Sequence, residues 1–398
     1  MRFQYTLAVV FSLLASGTAQ AQPAVKILFD ATKAQTAGNA DWVIDADVAN
    51  NPQRLPTPAQ STITANTPES FWTGAISSWG IALVKRGYQV ETLPGSGRIS
   101  YNDASNDLDL SNYAAYIVDE PNIRYTAAEK TAILNYVRNG GGLFMVSDHT
   151  MSDRNGDGWD SPAIWNDLMT NNTVQASPFG IAFDLNNLTF TTGVGAAASP
   201  TDSLLHGPAG DPVAMEYHNG ASMTLNPTAN ASVRGVLFRP GAATAGTSGA
   251  IVARARYGRG RVAALGDSSP PDDGSGATGK RLYDGWAAEA NGDHARLLLN
   301  ATIWLATPNR TATATRRATE ADFSIYPNPS ADSFFISGNV LPAEISCHNA
   351  VGQLFALRST AAGAGALQVH TAGLAPGLYV LRLRLPDGQV LTRRIVRQ

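Results

Sequence analysis

The side chains of this 398-residue chain that could do chemistry gather where short apolar runs end. Val25-Lys26-Ile27-Leu28-Phe29 ends in Asp30, and Tyr113-Ala114-Ala115-Tyr116-Ile117-Val118 ends in Asp119 and Glu120. Leu143-Phe144-Met145-Val146 runs into Ser147, Asp148 and His149, and Arg261-Val262-Ala263-Ala264-Leu265-Gly266 into Asp267. Carboxylates brought this close repel one another and hold their protons unless a cation or partner charge intervenes. A shared-proton acid/base pair or a bound divalent metal would relieve that repulsion. Ser147, Asp148, His149, Asp267, Glu120 and Asp30 are therefore the candidate catalytic residues. Ser147-Asp148-His149 reads either as a nucleophilic serine near a histidine or as an Asp/His pair that ligates metal. The competing reading has all three capping the loop through backbone hydrogen bonds. No Gly-x-Ser-x-Gly elbow surrounds Ser147, which weighs against the serine hydrolase. On a strand, Ser147 and His149 would share one side and Asp148 the other.

A second constellation follows at once. In Asp153-Arg154-Asn155-Gly156-Asp157-Gly158-Trp159-Asp160, short oxygen-bearing side chains recur at alternate positions around a glycine, as calcium loops require. Asp153, Asn155, Asp157 and Asp160 are the candidate ligands, for calcium or another divalent metal; no organic cofactor is expected. Position twelve would be Ile164 rather than the bidentate Glu of an EF-hand, and a plain Asx-turn loop competes. Asp272 and Asp273 sit in a Pro/Gly/Ser turn. His206 and His218 lie in an irregular stretch, and Asp293-His294 opens a helical segment as an N-cap and a partly exposed first-turn residue. Trp42, Trp72, Trp79, Trp159, Trp165 and Trp286 are packing candidates, with Trp42 and Trp159, set among Asp and Asn, the two whose alternative reading is a sugar-stacking surface.

These residues need elements to position them. Helical spacing over Glu69–Arg86, with Thr67 as cap and Gly87 as stop, predicts a helix, followed by a strand from Tyr88 to Leu93. Thr126 caps a helix through Arg138, and Gly140-Gly141-Gly142 turns into the strand before Ser147. Gly249–Tyr257 and Gly260–Asp267 flank Gly258-Arg259 as a hairpin, and a last helix runs from Asp293 to Leu305. The β/α alternation predicts an α/β domain over residues 22–308: a doubly wound, mostly parallel sheet with helices on both faces. Ligands of such sheets bind at the carboxyl ends of the strands. Residues 153–248, rich in Asn, Thr, Gly and Pro, read as a long irregular, partly β insertion overhanging that edge.

The ends of the chain are of another kind. A basic Arg2, the apolar run Leu7–Leu14 and small residues at Ala19 and Ala21 read as a signal peptide over residues 1–21, cut after Ala21. Eight apolar residues are too few for a transmembrane anchor. The Thr/Ala/Arg stretch 309–321 reads as a linker, and residues 322–398 as short alternating strands with turns at Asn328-Pro329, Pro376-Gly377 and Asp387-Gly388, a small all-β sandwich. Residues 22–308 carry 19 Lys/Arg against 27 Asp/Glu, whereas residues 309–398 carry 9 against 5. With a total of -3, no general basic field exists for nucleic acid. The one cysteine, Cys347, excludes an intramolecular disulfide and lies on a tail strand, where a buried thiol is expected.

Tyr326-Pro327-Asn328-Pro329, Gly377-Leu378-Tyr379-Val380 and the basic end Arg393, Arg394, Arg397 resemble the C-terminal sorting domain of type IX secretion. The resemblance implies export of a secreted or cell-surface protein by that machinery, from a Bacteroidetes-type bacterium. In the large domain, Leu110–Asp119, Tyr136-Val137-Arg138-Asn139-Gly140-Gly141-Gly142 and Gly258-Arg259-Gly260-Arg261-Val262 before Gly266-Asp267 resemble the class I glutamine-amidotransferase-like superfamily, in its trehalose-utilisation-like branch. This implies a flavodoxin- or amidotransferase-like sheet. The family's cysteine place is taken by Ser147, so cysteine-based amide transfer is rejected. The expectation is a secreted hydrolase acting on an extracellular polymer or its fragments with acids and His149 at the sheet edge, metal-assisted or not. A non-catalytic protein binding a glycan or surface on the same edge is the alternative.

Overall fold

The computed structural model describes residues 24–46, 51–307, 323–338, 341–349, 353–363, 365–384 and 390–398. The expected signal peptide and the 309–321 linker lie outside these residues. The chain divides into two compact units between residues 309 and 310.

In the first unit the elements are β1 (Lys26–Asp30), α1 (Ser77–Val84), β2 (Gln89–Leu93), β3 (Ala115–Val118), α2 (Ala127–Arg138), β4 (Gly142–Val146), α3 (Ser161–Thr170), β5 (Ile181–Phe183), β6 (Leu188–Phe190), β7 (Gly195–Ala196), β8 (Tyr217–Gly220), β9 (Met223–Leu225), β10 (Arg234–Phe238), β11 (Ser248–Tyr257), β12 (Gly260–Leu265) and α4 (Asp293–Ala306). One sheet of ten strands carries the order β2-β1-β3-β4-β12-β11-β10-β7, with β9 and β5 branching from β11. Its first five strands pair in parallel and the rest antiparallel, so the sheet is mixed rather than mostly parallel. The antiparallel half begins at the hairpin expected around Gly258-Arg259, where Tyr257 faces Gly260. Strands β6 and β8 form a separate ribbon.

Alternation along the strands divides the apolar side chains between two cores. Phe29, Ile117, Phe144, Val146 and Leu265 pack with Trp79 and Ile81 of α1 and Leu297 and Leu298 of α4. Leu28, Tyr116, Val118, Met145 and Ala264 pack with Ile133 and Leu134 of α2 and Ile164, Trp165 and Leu168 of α3. Helix α2 starts on a capping box in which Thr126 accepts from Glu129 N and Glu129 accepts from Thr126 N.

Two expectations need correction. The helix from Glu69 to Arg86 is broken into a short 3-10 turn, Glu69–Phe71, and α1. Residues 73–76 instead bond to the segment 41–45: Thr73 N and Oγ1 to Asp45 Oδ1, Ala75 N to Asp41 O and Ile76 N to Val43 O. Gly74 passes so close that a Cβ there would stand 1.8 Å from Val43 O. The 153–248 stretch is not free of helix, because α3 lies in it, started by Asp160 accepting from Ala163 N, with a proline in the first turn.

The second unit holds two four-stranded antiparallel sheets. One comprises Phe323–Tyr326 (β13), Ser333–Gly338 (β14), Arg358–Ala361 (β17) and Ala366–His370 (β18); the other Glu344–Asn349 (β15), Leu354–Phe355 (β16), Gly377–Arg384 (β19) and Val390–Arg397 (β20). They share a core of Phe334, Ile336, Cys347, Val369, Leu381, Leu383 and Ile395. Burial pushes the Cys347 thiol up to about 11, as an inert core residue.

Candidate functional site

The strand ends deliver their side chains in an order set by the pleat. Asp148 follows Phe144 and Val146 on one face of the sheet, and Asp267 follows Ala263 and Leu265 on the same face of the neighbouring strand. Asp30 and Ser147 continue the opposite sets, Leu28 and Leu143-Met145. The consequence is a separation among the candidates. Asp30 is buried, bound by Thr32 Oγ1 and Gln35 Nε2 at 2.8 Å each, and burial raises its pKa. Ser147 is fully buried and offers its hydroxyl to Asp148 O at 3.4 Å rather than to a histidine.

Glu120 and Asp148 meet through a residue that sequence reasoning passed over. Arg154 donates from Nε and Nη2 to the two carboxylate oxygens of Glu120 (Nη2 to Oε2, 3.1 Å), from Nη2 to Asp148 Oδ2 at 3.2 Å, and from Nη1 to Asn39 Oδ1 at 2.6 Å. Glu120 has no exposed surface and also accepts from Trp42 Nε1 at 2.5 Å and Ser268 Oγ at 2.7 Å. Trp42 is thus a buried donor and not a sugar platform. Glu120 holds a backbone φ of +39°, a left-handed conformation uncommon outside glycine, which turns the chain sharply after β3.

Asp148, 2% exposed, has its pKa raised well above the usual carboxylate range by burial, then by the charges of Glu120 and Asp267, with Arg154 opposing. Asp267 accepts from Ser269 N at 2.8 Å and His218 N at 2.7 Å, yet burial still pushes it up to about 6. Asp119 is buried with neither carboxylate oxygen hydrogen-bonded, and burial together with Glu120, Asp267 and Asp272 raises it strongly. Asp272 accepts from Gly274 N and Tyr283 N and is pushed up to about 7 by burial.

A cavity of about 200 Å³ opens over this cluster, lined by Asp148, His149, Arg154, His218 and Tyr283 among others. His149 Nε2 lies 3.8 Å from Asp148 Oδ2, and Nδ1 lies 2.5 Å from Thr150 O and 3.1 Å from Asn187 Nδ2. From the facing ribbon, His218 stacks on Tyr283 with centroids 4.8 Å apart and places Nε2 3.0 Å from Glu289 Oε2. Arg154 and Tyr283 went unread because each sits inside a stretch that looks like a loop motif. His206, on an exposed pair with Asp211, does not line the cavity. His294 is buried rather than partly exposed; it donates from Nδ1 to Gly285 O and accepts Glu216 N, and burial lowers its pKa to about 4.

The Asp153–Asp160 loop is occupied by its own backbone. Asp153 accepts from Gly156, Asp157 and Gly158 N, Asp157 from Trp159 N, and Asp160 from Ala163 N, Met151 N and Thr150 Oγ1. Asn155 binds Asp157. Among the described residues, the acids and histidines that converge closely enough for one metal ion are Glu216, His218 and Glu289.

No curated protein matches the chain. Among solved structures, the mmIFT52 N-terminal domain is 14% identical over 71% of this chain and 98% of its own, with a TM-score of 0.42. A cytoplasmic protein from Salmonella typhimurium LT2 is 13% identical over 71% and 97%, at 0.35, and a ThuA-like protein from Parabacteroides merdae 13% identical over 71% and 90%, at 0.37. These likenesses are distant. No helix among the described residues is long and apolar enough to cross a membrane. The tail is decisive: residues 324–398 match the secretion system C-terminal sorting domain, and the protein is sent by type IX secretion to the cell surface or the extracellular space.

Proposed function

We propose that the protein is a secreted hydrolase acting on an extracellular polymer or its fragments, with Asp148 as general acid and His149 as general base. The observation that carries this reading is the pairing of a buried carboxyl whose pKa burial raises well above the usual carboxylate range with an imidazole nitrogen 3.8 Å away, both facing one cavity. Bond hydrolysis by water needs an acid and a base at one cavity: in this reading His149 takes a proton from water while Asp148 gives one to the leaving group. Arg154 supplies positive charge beside the developing anion. The cavity volume lies below the roughly 300–1,000 Å³ of sites for drug-sized ligands, which suits a chain end or small fragment.

The same proposal takes the first unit as a doubly wound relative of the amidotransferase-like superfamily in which Ser147 fills the place of the cysteine. Its support is the strand order β2-β1-β3-β4 and the presence of helices in both cores. The stacked His218–Tyr283 pair favours the second reading, glycan binding without turnover.

The test is a screen of the purified protein over esters, phosphoesters and glycosides. One class is turned over, and Asp148→Asn lowers kcat by at least about 100-fold, the scale of lost general acid catalysis. Glycan binding with no turnover on any class would replace the hydrolase by the binding protein.

A further inference from the structure

Glu216 and His218 flank Tyr217 at the start of β8, so the two-residue period sends both side chains to one side. Tyr217 goes the other way, fully buried with its hydroxyl on Ile251 O at 2.8 Å. Glu289 arrives from the segment before α4. One ligand atom from each of the three lies within 4.8 Å of the other two, all on half-buried residues. The His218 Nε2 to Glu289 Oε2 separation of 3.0 Å is about that between neighbouring ligands of a small cation.

Two of the three are also held from outside, as ligating groups are. Ala290 N donates to Glu216 Oε1 at 2.9 Å, and the buried His294 fixes Glu216 N at 2.9 Å. His218 is held by Asp267 through its backbone and by Tyr283 against its ring. Two carboxylates and an imidazole suit a first-row divalent ion, whereas calcium asks for six to eight oxygens. Near them, Asp148 and Glu120 share Arg154, and Asp267 accepts from the backbone N–H groups of Ser269 and His218.

We propose that Glu216, His218 and Glu289 bind one zinc or manganese ion beside the cavity that His218 lines, with a coordination position left open for water. The inference deepens the hydrolase reading by supplying an activated water, since a zinc-bound water loses its proton near neutral pH. Binding itself does not depend on that reading.

The experiment uses the full chain, freed of metal by dialysis against a chelator and titrated with zinc and manganese by calorimetry, with magnesium and calcium as controls. Binding of one equivalent of zinc or manganese is expected, with a higher Tm. His218→Ala should weaken it at least about 100-fold and Glu289→Gln at least about 10-fold. Circular dichroism checks that each variant is folded; Glu289→Gln keeps the side chain's shape and serves if His218→Ala does not fold. Absence of one-equivalent binding, or binding unchanged in the folded variants, overturns the site. Asp148→Asn separates the two proposals, because it should lose turnover and keep the metal. Turnover by a wild type that binds no ion would sink the metal site alone, and one-equivalent binding without turnover on any substrate would sink the hydrolase alone.

Discussion

Arg154 holds two buried carboxylates, Glu120 and Asp148, with only 16% of its own side chain exposed. Removing one member of a buried ion pair strands the other, at a cost of about 3–5 kcal/mol. Arg154→Met should therefore lose about that much stability near neutral pH by thermal or urea denaturation. Asp119 behaves in the opposite sense. Its folded pKa is raised above the free value of 3.8, mainly by burial, so its protonated form is the one the fold prefers. That preference is fully present below the free pKa and is lost as the pH rises through the folded one. Asp119→Asn mimics the neutral form at every pH. The variant should melt a few degrees above the wild type near neutral pH, and the difference should vanish below about pH 4. A gain that persists in acid would mean that packing, not charge, is responsible.

Asp160 illustrates how an element and a motif compete for the same residue. It caps α3 through Ala163 N and clasps Met151 N and Thr150 Oγ1, while Asp157 binds only loop neighbours. Loss of an N-cap costs about 0.5–2 kcal/mol. Asp160→Ala should show the upper part of that range and Asp157→Ala almost nothing, both with and without calcium. A calcium-dependent rise in Tm that disappears equally in the two variants would instead support the calcium loop. The alternating Asp and Asn of that loop were legible in the sequence, but Arg154 in their midst was not, because its partners are 6 and 34 residues away. Strand ends were legible because an apolar run stopping at an acid has a local signature. The helix cap at Thr126 was legible for the same reason. The break between Glu69 and Ser77 was not, since it depends on hydrogen bonds to residues 41–45 that no periodicity reveals. Beyond the expected hairpin, the antiparallel half of the sheet was hidden likewise: β5, β7 and β9 have two or three residues each, too short to show a period.

At the scale of the whole chain, the division at residues 309 and 310 coincides with a change in charge: the first part is acidic and the tail basic. Each unit has its own apolar core, so neither depends on the other to bury its strands. The tail carries the match to the sorting domain and none of the cavity residues, which lie between Asn39 and Tyr283. The sorting match and the cavity thus belong to separate units, and deletion of residues 324–398 should affect export without altering the cavity. In the native host, cell fractionation should find the full chain at the surface or in the medium and the truncated chain in the periplasm. The truncated chain, purified, should unfold cooperatively at the temperature of the first unit in the full protein and retain the Asp148-dependent activity. Equal amounts of both proteins outside the cell would show that the tail is dispensable for export. Loss of the first unit's cooperative unfolding would show that the two cores are energetically one.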